Sequence, residues 1–186
     1  MSERFAPSRF RREDAPEWLR RFCPHETVGN VADVDPDALK ARGIAAVLLD
    51  LDNTLTPWRS YDAPDEIVDW IKRMQEAGFK MCLTSNTRRR SRLIELSERF
   101  AIPYALGPMK PRKGILRNAL EMLGAKPSEA AIIGDQMFTD VWGGNRLGLY
   151  TIWVRPLHHK EFFGTKISRM VENWLVKRLE PYRERI

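Results

Sequence analysis

Residues 44–55 read Ile-Ala-Ala-Val-Leu-Leu-Asp-Leu-Asp-Asn-Thr-Leu. The apolar run Ile44–Leu49 breaks off at Asp50, as a strand buried on both faces does when it reaches its carboxyl end. Working outward, Pro64 opens a helix that runs to Ala77, with Asp62 just upstream and Gly78 as its stop. Residues 80–85 (KMCLTS) read as a second strand, and Thr87 caps a helix through Phe100 whose Leu93, Leu96 and Phe100 share a face. A short strand at 104–106 (YAL) and a helix from about Lys113 to Leu123, stopped by Gly124, follow. Then come a strand at 130–134 (AAIIG), a helix over about 137–147 ending at Gly148, and a strand at 150–154 (YTIWV). Strands alternating with single helices predict an α/β fold, a parallel sheet with helices on both faces. In such sheets ligands bind beyond the carboxyl ends of the strands.

Composition is consistent with this. The chain has 186 residues, 43% hydrophobic and 30% charged, which suits one globular domain and excludes collagen-like, disordered and coiled-coil classes. The run Ile44–Leu49 is the longest apolar one, far short of the roughly 18 residues needed to span a bilayer. The opening residues lack an apolar stretch of signal-peptide length, and two cysteines, Cys23 and Cys82, make no disulfide framework. A reducing, cytoplasmic setting is expected. The net charge of +6 resides at the ends: residues 1–22 carry +2 and 155–186 carry +4, while 23–154 are neutral. Basic ends on a neutral middle predict either attraction to an anionic surface or plain solvated charge.

The strand ends carry the chemistry. The first runs into Asp50-Leu51-Asp52-Asn53-Thr54, the second into Thr84-Ser85-Asn86, and the strand at 130–134 into Asp135, with Asp140 five residues on and Lys110 in between. Carboxylates crowded at the tips of apolar strands repel unless a cation neutralises them, and oxygen-only ligands point to Mg²⁺ rather than zinc. Asp50 is placed to attack a phosphoryl group, and Asp52 to protonate the leaving alcohol and then activate water. A Mg²⁺ on Asp50 and Asp135 screens the anionic phosphate from the nucleophile. Thr84 or Ser85 binds phosphoryl oxygens and Lys110 offsets developing charge. Each piece alone has a plain reading: a strand end and turn, a surface lysine, a helix cap.

Together, DLDNTL, LTSN, the Lys110-Pro111 pair and GDQMFTD resemble motifs I to IV of the haloacid dehalogenase (HAD) superfamily over about residues 44–154. The resemblance implies a Rossmann-like sheet, Mg²⁺ dependence and an aspartyl-phosphate intermediate. By position it makes Asp50 the nucleophile and Asp52 the acid/base, with the Asp52 carbonyl also on the metal. Asp135 becomes a metal ligand and Asp140 the outer carboxylate that orients the site. Thr84 or Ser85 matches motif II, Ser85 being favoured, with Asn86 beside it for substrate; Lys110 matches motif III, Lys113 being the alternative. Only 31 residues separate Asp52 from Thr84 and 24 separate Ser85 from Lys110, too few for a cap domain, so the site is expected to be open and to suit a bulky substrate. DLDNTLTPW and GDQMFTDVWGGNRLG are similar to the YqeG-type branch of subfamily IIIA, related to the phosphatidylglycerophosphate phosphatases, and the likeness extends into RPLHHKEFFGTKISRMVE after Val154. The resemblance thus implies a phosphomonoesterase of phosphatidylglycerophosphate; the expected location is cytoplasmic, with peripheral association on the inner face of a membrane as the option the lipid substrate adds. Rival readings are a HAD phosphatase for a soluble metabolite, a phosphoprotein or a nucleic-acid end, and a basic RNA- or membrane-binding module. No nucleic-acid partner is expected on the favoured reading, and an oligomer is left open.

Other features have two readings each. Arg88, Arg89, Arg90 and Arg92 either draw an anionic substrate or form a solvated helix face. Trp58 belongs to a flap or rests on substrate. Residues 1–43 are expected to be a basic, aromatic extension packing on a domain of residues 44–186. Within that domain 165–180 forms an amphipathic helix with Ile167, Met170, Val171, Trp174, Leu175 and Leu179 on one stripe and Lys166, Arg169, Lys177 and Arg178 mostly off it. That helix covers a sheet face or lies on an anionic membrane. Gly143 and Gly144 are expected to permit close packing. His25, His158 and His159 receive no role.

Overall fold

The computed structural model describes residues 5–87, 89–158 and 166–186; expectations for Arg88, His159, Thr165 and the side chains of Lys166, Ile167 and Arg169 lie outside the described residues. In chain order the elements are β1 (Ser8–Phe10), α1 (Glu17–Arg20), β2 (Glu26–Val28), α2 (Pro36–Ala41), β3 (Ala46–Leu49), α3 (Asp65–Glu76) and β4 (Lys80–Leu83). They continue with α4 (Arg90–Phe100), α5 (Gly114–Leu123), β5 (Ala130–Gly134), α6 (Trp142–Asn145), β6 (Tyr150–Val154), α7 (Lys166–Leu179) and β7 (Arg183–Arg185). The strands form one sheet in the order β4-β3-β5-β6-β2-β1-β7. Pairing is parallel from β4 through β2, whereas β1 runs antiparallel to both β2 and β7. The expected parallel α/β sheet is therefore present, extended at one side by antiparallel strands from the two chain ends.

Alternate residues of β3 serve opposite faces, as a doubly covered strand requires. Val47 and Leu49 join Ile67, Trp70 and Met74 of α3 and Leu93, Leu96 and Phe100 of α4. Ala46 and Leu48 join Ile115, Leu116, Ala119 and Leu120 of α5. The Trp70 indole N–H donates to the Val34 carbonyl at 2.8 Å, which satisfies its one polar atom in the core. One helix, α3, bridges β3 to β4, and α4 and α5 lie between β4 and β5, so no inserted cap domain covers the strand ends among the described residues.

Three local details differ from expectation. Residues 104–106 make only the bridge between Tyr104 and Leu83, because Leu83 N–H donates to Pro103 and Ala105 N–H to Leu83 while the chain moves on. Helix α4 begins at Arg90, and the Thr87 hydroxyl accepts from Arg89 N–H at 3.3 Å, ahead of the helix. The expected helix over 137–147 starts as a π-helical turn, Met137–Val141, before α6.

The stripe of α7 is divided. Leu175 and Leu179 pack with Leu19, Cys23, Met137, Val141 and Trp153. Met170, 67% exposed, Val171 and Trp174 face outward, and Trp174 stacks on Trp18 of α1 at 5.5 Å. The helix therefore covers a sheet face with part of its stripe and leaves part of it to the surroundings.

Gly144 bears out the packing expectation. A Cβ there would come 2.4 Å from Ile132 Cγ2 and 2.7 Å from Thr151 Cγ2, both on sheet strands. Gly144→Ala should lower unfolding free energy by about 1–3 kcal/mol, the usual cost of overpacking, measured by urea denaturation.

Candidate active site

Asp50 follows β3 directly, and its N–H still donates to Ile133 at 2.9 Å, so the ladder itself fixes the position of its carboxylate. Asp135 stands one residue beyond β5, the neighbouring strand. Its carbonyl accepts the Trp153 indole N–H at 2.9 Å, and its carboxylate accepts the Thr54 hydroxyl at 3.4 Å. The π-helical turn after β5 returns Asp140 to the same place, where its Oδ2 accepts Gln136 N–H at 3.1 Å. Gly134 makes this possible: a Cβ there would lie 2.3 Å from the Asp140 carboxyl carbon. Carboxylate oxygens of Asp50, Asp135 and Asp140 all lie within 4.8 Å of one another, and all three residues are buried.

Lys110 reaches into this group from the loop before α5. Its Nζ lies 2.7 Å from Asp50 Oδ1 and 2.6 Å from Asp140 Oδ1. Asn86 holds the lysine's own peptide from both sides, donating to its carbonyl at 3.0 Å and accepting its N–H at 2.8 Å. The Lys110–Pro111 bond is cis. Lys113, the alternative motif residue, is half-buried at the start of α5. Thr84 is buried, with its N–H and its hydroxyl both directed at the Leu49 carbonyl, whereas Ser85 lies beside the strand end and accepts Thr87 N–H at 3.1 Å.

Three carboxylates share one ammonium, and the electrostatics follow. Burial pushes Asp50 up to about 7 against the pull of Lys110, with Asp140 and Asp52 adding to the rise. Asp135 lies well above the carboxylate range, from burial first and then from Asp50 and Asp140. Burial opposes the charged form of Lys110, but Asp140 and Asp50 outweigh it and raise its pKa. Asp50 Oδ2 is buried without a hydrogen-bond partner. An unpartnered buried carboxylate oxygen, in an all-oxygen cluster short of positive charge, fits a hard divalent cation.

Asp52 lies at the rim. Its Oδ1 accepts Arg92 Nη1 at 2.8 Å and Arg59 N–H at 3.1 Å, and its side chain is 17% exposed. Arg92 is 1% exposed and also donates to the Ser60 carbonyl at 2.7 Å and the Thr56 hydroxyl at 2.6 Å. Neither expectation for Arg92 holds: it is a buried staple between α4 and the loop after Asp52. The signal was in the spacing, since residue 92 is four before Leu96 and eight before Phe100, on the buried stripe. Asn53, also not singled out from sequence, adopts φ 62° and shapes that loop, accepting Trp58 N–H at its Oδ1 and Leu157 N–H at its carbonyl. Trp58 is half-buried, with the Arg59 guanidinium 4.0 Å from its ring centroid.

A pH prediction follows from Asp50. Its folded pKa of about 7 exceeds the ordinary 3.8, so between these values the folded state binds the extra proton. The group's contribution to stability is therefore lost as pH rises from about 4 to 7. In chelator-treated protein, Asp50→Asn should be more stable than wild type at pH 7.5 and converge with it near pH 4, by denaturant unfolding across pH. Parallel curves would remove the raised pKa.

The chain is similar to several known proteins. A family model described as HAD-hydrolase-like matches residues 108–157. The chain is 35% identical over 159 residues to the probable phosphatase YqeG of Bacillus subtilis (strain 168), covering 86% of this chain and 92% of that protein. It is 28% identical over 183 residues to phosphatidylglycerophosphate phosphatase 1, chloroplastic/mitochondrial, of Arabidopsis thaliana, covering 87% of this chain and 51% of that one, about half its length. A solved HAD phosphatase from Thermococcus onnurineus aligns with a TM-score of 0.47 at 20% identity, over 56% of this chain and 51% of that one.

Proposed function

We propose a substrate and a mechanism for this chain, which belongs to the haloacid dehalogenase-like phosphatases. It hydrolyses the phosphomonoester of phosphatidylglycerophosphate through an aspartyl-phosphate on Asp50. The observation that carries the reading is Asp50 itself, with Oδ1 held by Lys110 and Oδ2 buried and unpartnered. An Asp50 oxygen attacks phosphorus, and the bond from phosphorus to the lipid's alcohol oxygen breaks. Asp52 gives that oxygen its proton, then takes one from the water that attacks the aspartyl-phosphate, releasing inorganic phosphate and restoring Asp50. Arg92 keeps the Asp52 carboxylate oriented at the rim. Lys110 and Ser85, just beyond β4, face the charge that builds on the transferring group, while Asn86 holds the Lys110 peptide and Thr84 stays on the Leu49 carbonyl. Asp50, Asp135 and the Asp52 carbonyl would hold Mg²⁺, with Asp140 supporting. The ion supplies charge neutralisation between substrate and carboxylates.

The lipid assignment has three supports. The strand ends carry no cap among the described residues, so a headgroup attached to a large body can approach. Relatives named for phosphatidylglycerophosphate align along most of the chain. Trp18, Trp174 and Met170 present an exposed aromatic and apolar patch, and the Arg178 guanidinium sits 5.3 Å from the Trp174 centroid, a composition suited to the interface of an anionic membrane. Among the described residues no helix is long and apolar enough to cross a membrane; the association proposed is peripheral, on the cytoplasmic face.

The test is phosphate release from phosphatidylglycerophosphate in mixed micelles with Mg²⁺, with a soluble aryl phosphate beside it. Release from the lipid that is absent in Asp50→Asn is expected; release from the aryl phosphate alone would discard the lipid and keep the mechanism. Asp52→Asn should slow turnover by about 10²- to 10⁴-fold, and near-normal rates would remove its proton role. Asp135→Ala should raise the Mg²⁺ concentration needed for half-maximal rate, and an unchanged titration would take Asp135 out of the metal site.

A further inference from the structure

On the surface between α1 and α6 an open concavity of about 610 Å³ is lined by four arginines, Arg12, Arg20, Arg21 and Arg146, with Trp142 and Asn145; Glu17 is the acidic residue among the lining. Among the described residues none of the four guanidiniums forms an ion pair. Three are held in place by neutral acceptors instead. Arg12 donates to Asn145 Oδ1 at 2.9 Å and bonds the His25 ring. Burial, then Arg12 and Arg42, drive His25 down to about 3, so that ring is neutral. Arg20 donates to the carbonyls of Glu13 and Ala15 at 2.9 and 3.1 Å. Arg146 donates to the Pro111 carbonyl at 3.0 Å, with its guanidinium 5.5 Å from the Trp142 centroid. Arg12 Nε is buried and has no hydrogen-bond partner. Carbonyls and amides orient a guanidinium without cancelling its charge, so the positions are fixed while the field stays positive.

We propose that this concavity is a second, non-catalytic anion site that takes a phosphate group. Arginine forks match phosphate oxygens, and fixing them beforehand lowers the ordering cost of binding. Four cations against one carboxylate, in arginine forks that bind oxygen pairs, favour a phosphate oxyanion over chloride. The site is separate from the carboxylate cluster, because its lining shares no residue with Asp50, Lys110, Asp135 or Asp140. The phosphate comes either free in solution or on a lipid headgroup, and the chemistry of recognition is common to both.

The experiment follows the Trp142 indole and Arg146 Nε–H signals in ¹H–¹⁵N spectra of the full chain. Inorganic phosphate is titrated against chloride at equal ionic strength, and phosphatidylglycerol vesicles against phosphatidylcholine vesicles. Saturable shifts with phosphate, weakened about tenfold or more in Arg20→Gln/Arg21→Gln, assign a free-phosphate site. Perturbation by the phosphatidylglycerol vesicles alone, weakened likewise in the variant, assigns the headgroup. Arg21 is exposed and makes no side-chain hydrogen bond or ion pair among the described residues, so Arg21→Glu keeps the test valid should the double variant fold poorly. Signals that follow ionic strength alone, or that move equally in wild type and Arg21→Glu, would overturn the proposal.

Discussion

One ammonium among three buried carboxylates is the constraint around which this molecule is arranged. At an effective dielectric constant of about 20, two ionised carboxylates 4.8 Å apart repel by roughly 3 kcal/mol, and each contact of Lys110 at under 3 Å returns roughly 6 kcal/mol. Neither term is large enough to settle the site alone, so its geometry has to be held from outside. Asn86 grips both sides of the Lys110 peptide, Gly134 leaves the volume that Asp140 fills, and Trp153 and Thr54 position Asp135. Each supporting group lies at or just beyond the end of a strand, or in a loop leaving one. The sheet thus holds in place a buried charge arrangement in which carboxylates outnumber their one ammonium.

The strands that carry this site were legible because burial on both faces leaves an unbroken apolar run ending in polar residues, as at Val47–Asp50 and Ile132–Asp135. Lys110 and Asp140 were legible only in company, since a lone lysine or a helix-start aspartate has an ordinary use. The rest was hidden for physical reasons. Strands β1, β2 and β7 have three residues each, too few for a period-two pattern, and β1 pairs with β7 across nearly the whole chain. The π-helical turn at Met137–Val141 depends on two widened hydrogen bonds, from Val141 N–H to the Gln136 carbonyl and from Trp142 N–H to the Met137 carbonyl, which periodicity does not resolve. Arg92 was misread because a guanidinium in a basic run looks solvated, although its spacing places it on the buried stripe of α4.

Joining the chain ends in one sheet edge changes the meaning of the charge distribution. Among the described residues, the β1–β7 pairing brings Arg9 onto the strand beside Arg183 and Arg185, and the packing of Leu19 with Leu175 and Leu179 joins α1 to α7. Two features result on that side of the molecule: the aromatic patch of Trp18 and Trp174, and the arginine-lined concavity next to α6. Arg146 links that concavity to the Pro111 carbonyl, one residue from the lysine in the carboxylate cluster. The loop that carries Lys110 and the basic surface therefore share a hydrogen bond.

We propose Asp50 as the nucleophile of a cation-dependent phosphoryl-transfer site. Beryllofluoride, which mimics an acyl phosphate when bound to a reactive carboxylate, tests it most directly by ¹⁹F spectroscopy. With Mg²⁺ present, wild type should give a bound signal that disappears on chelation and is absent in Asp50→Asn. A bound signal that persists in Asp50→Asn, or none in wild type under conditions where it releases phosphate, would contradict the account.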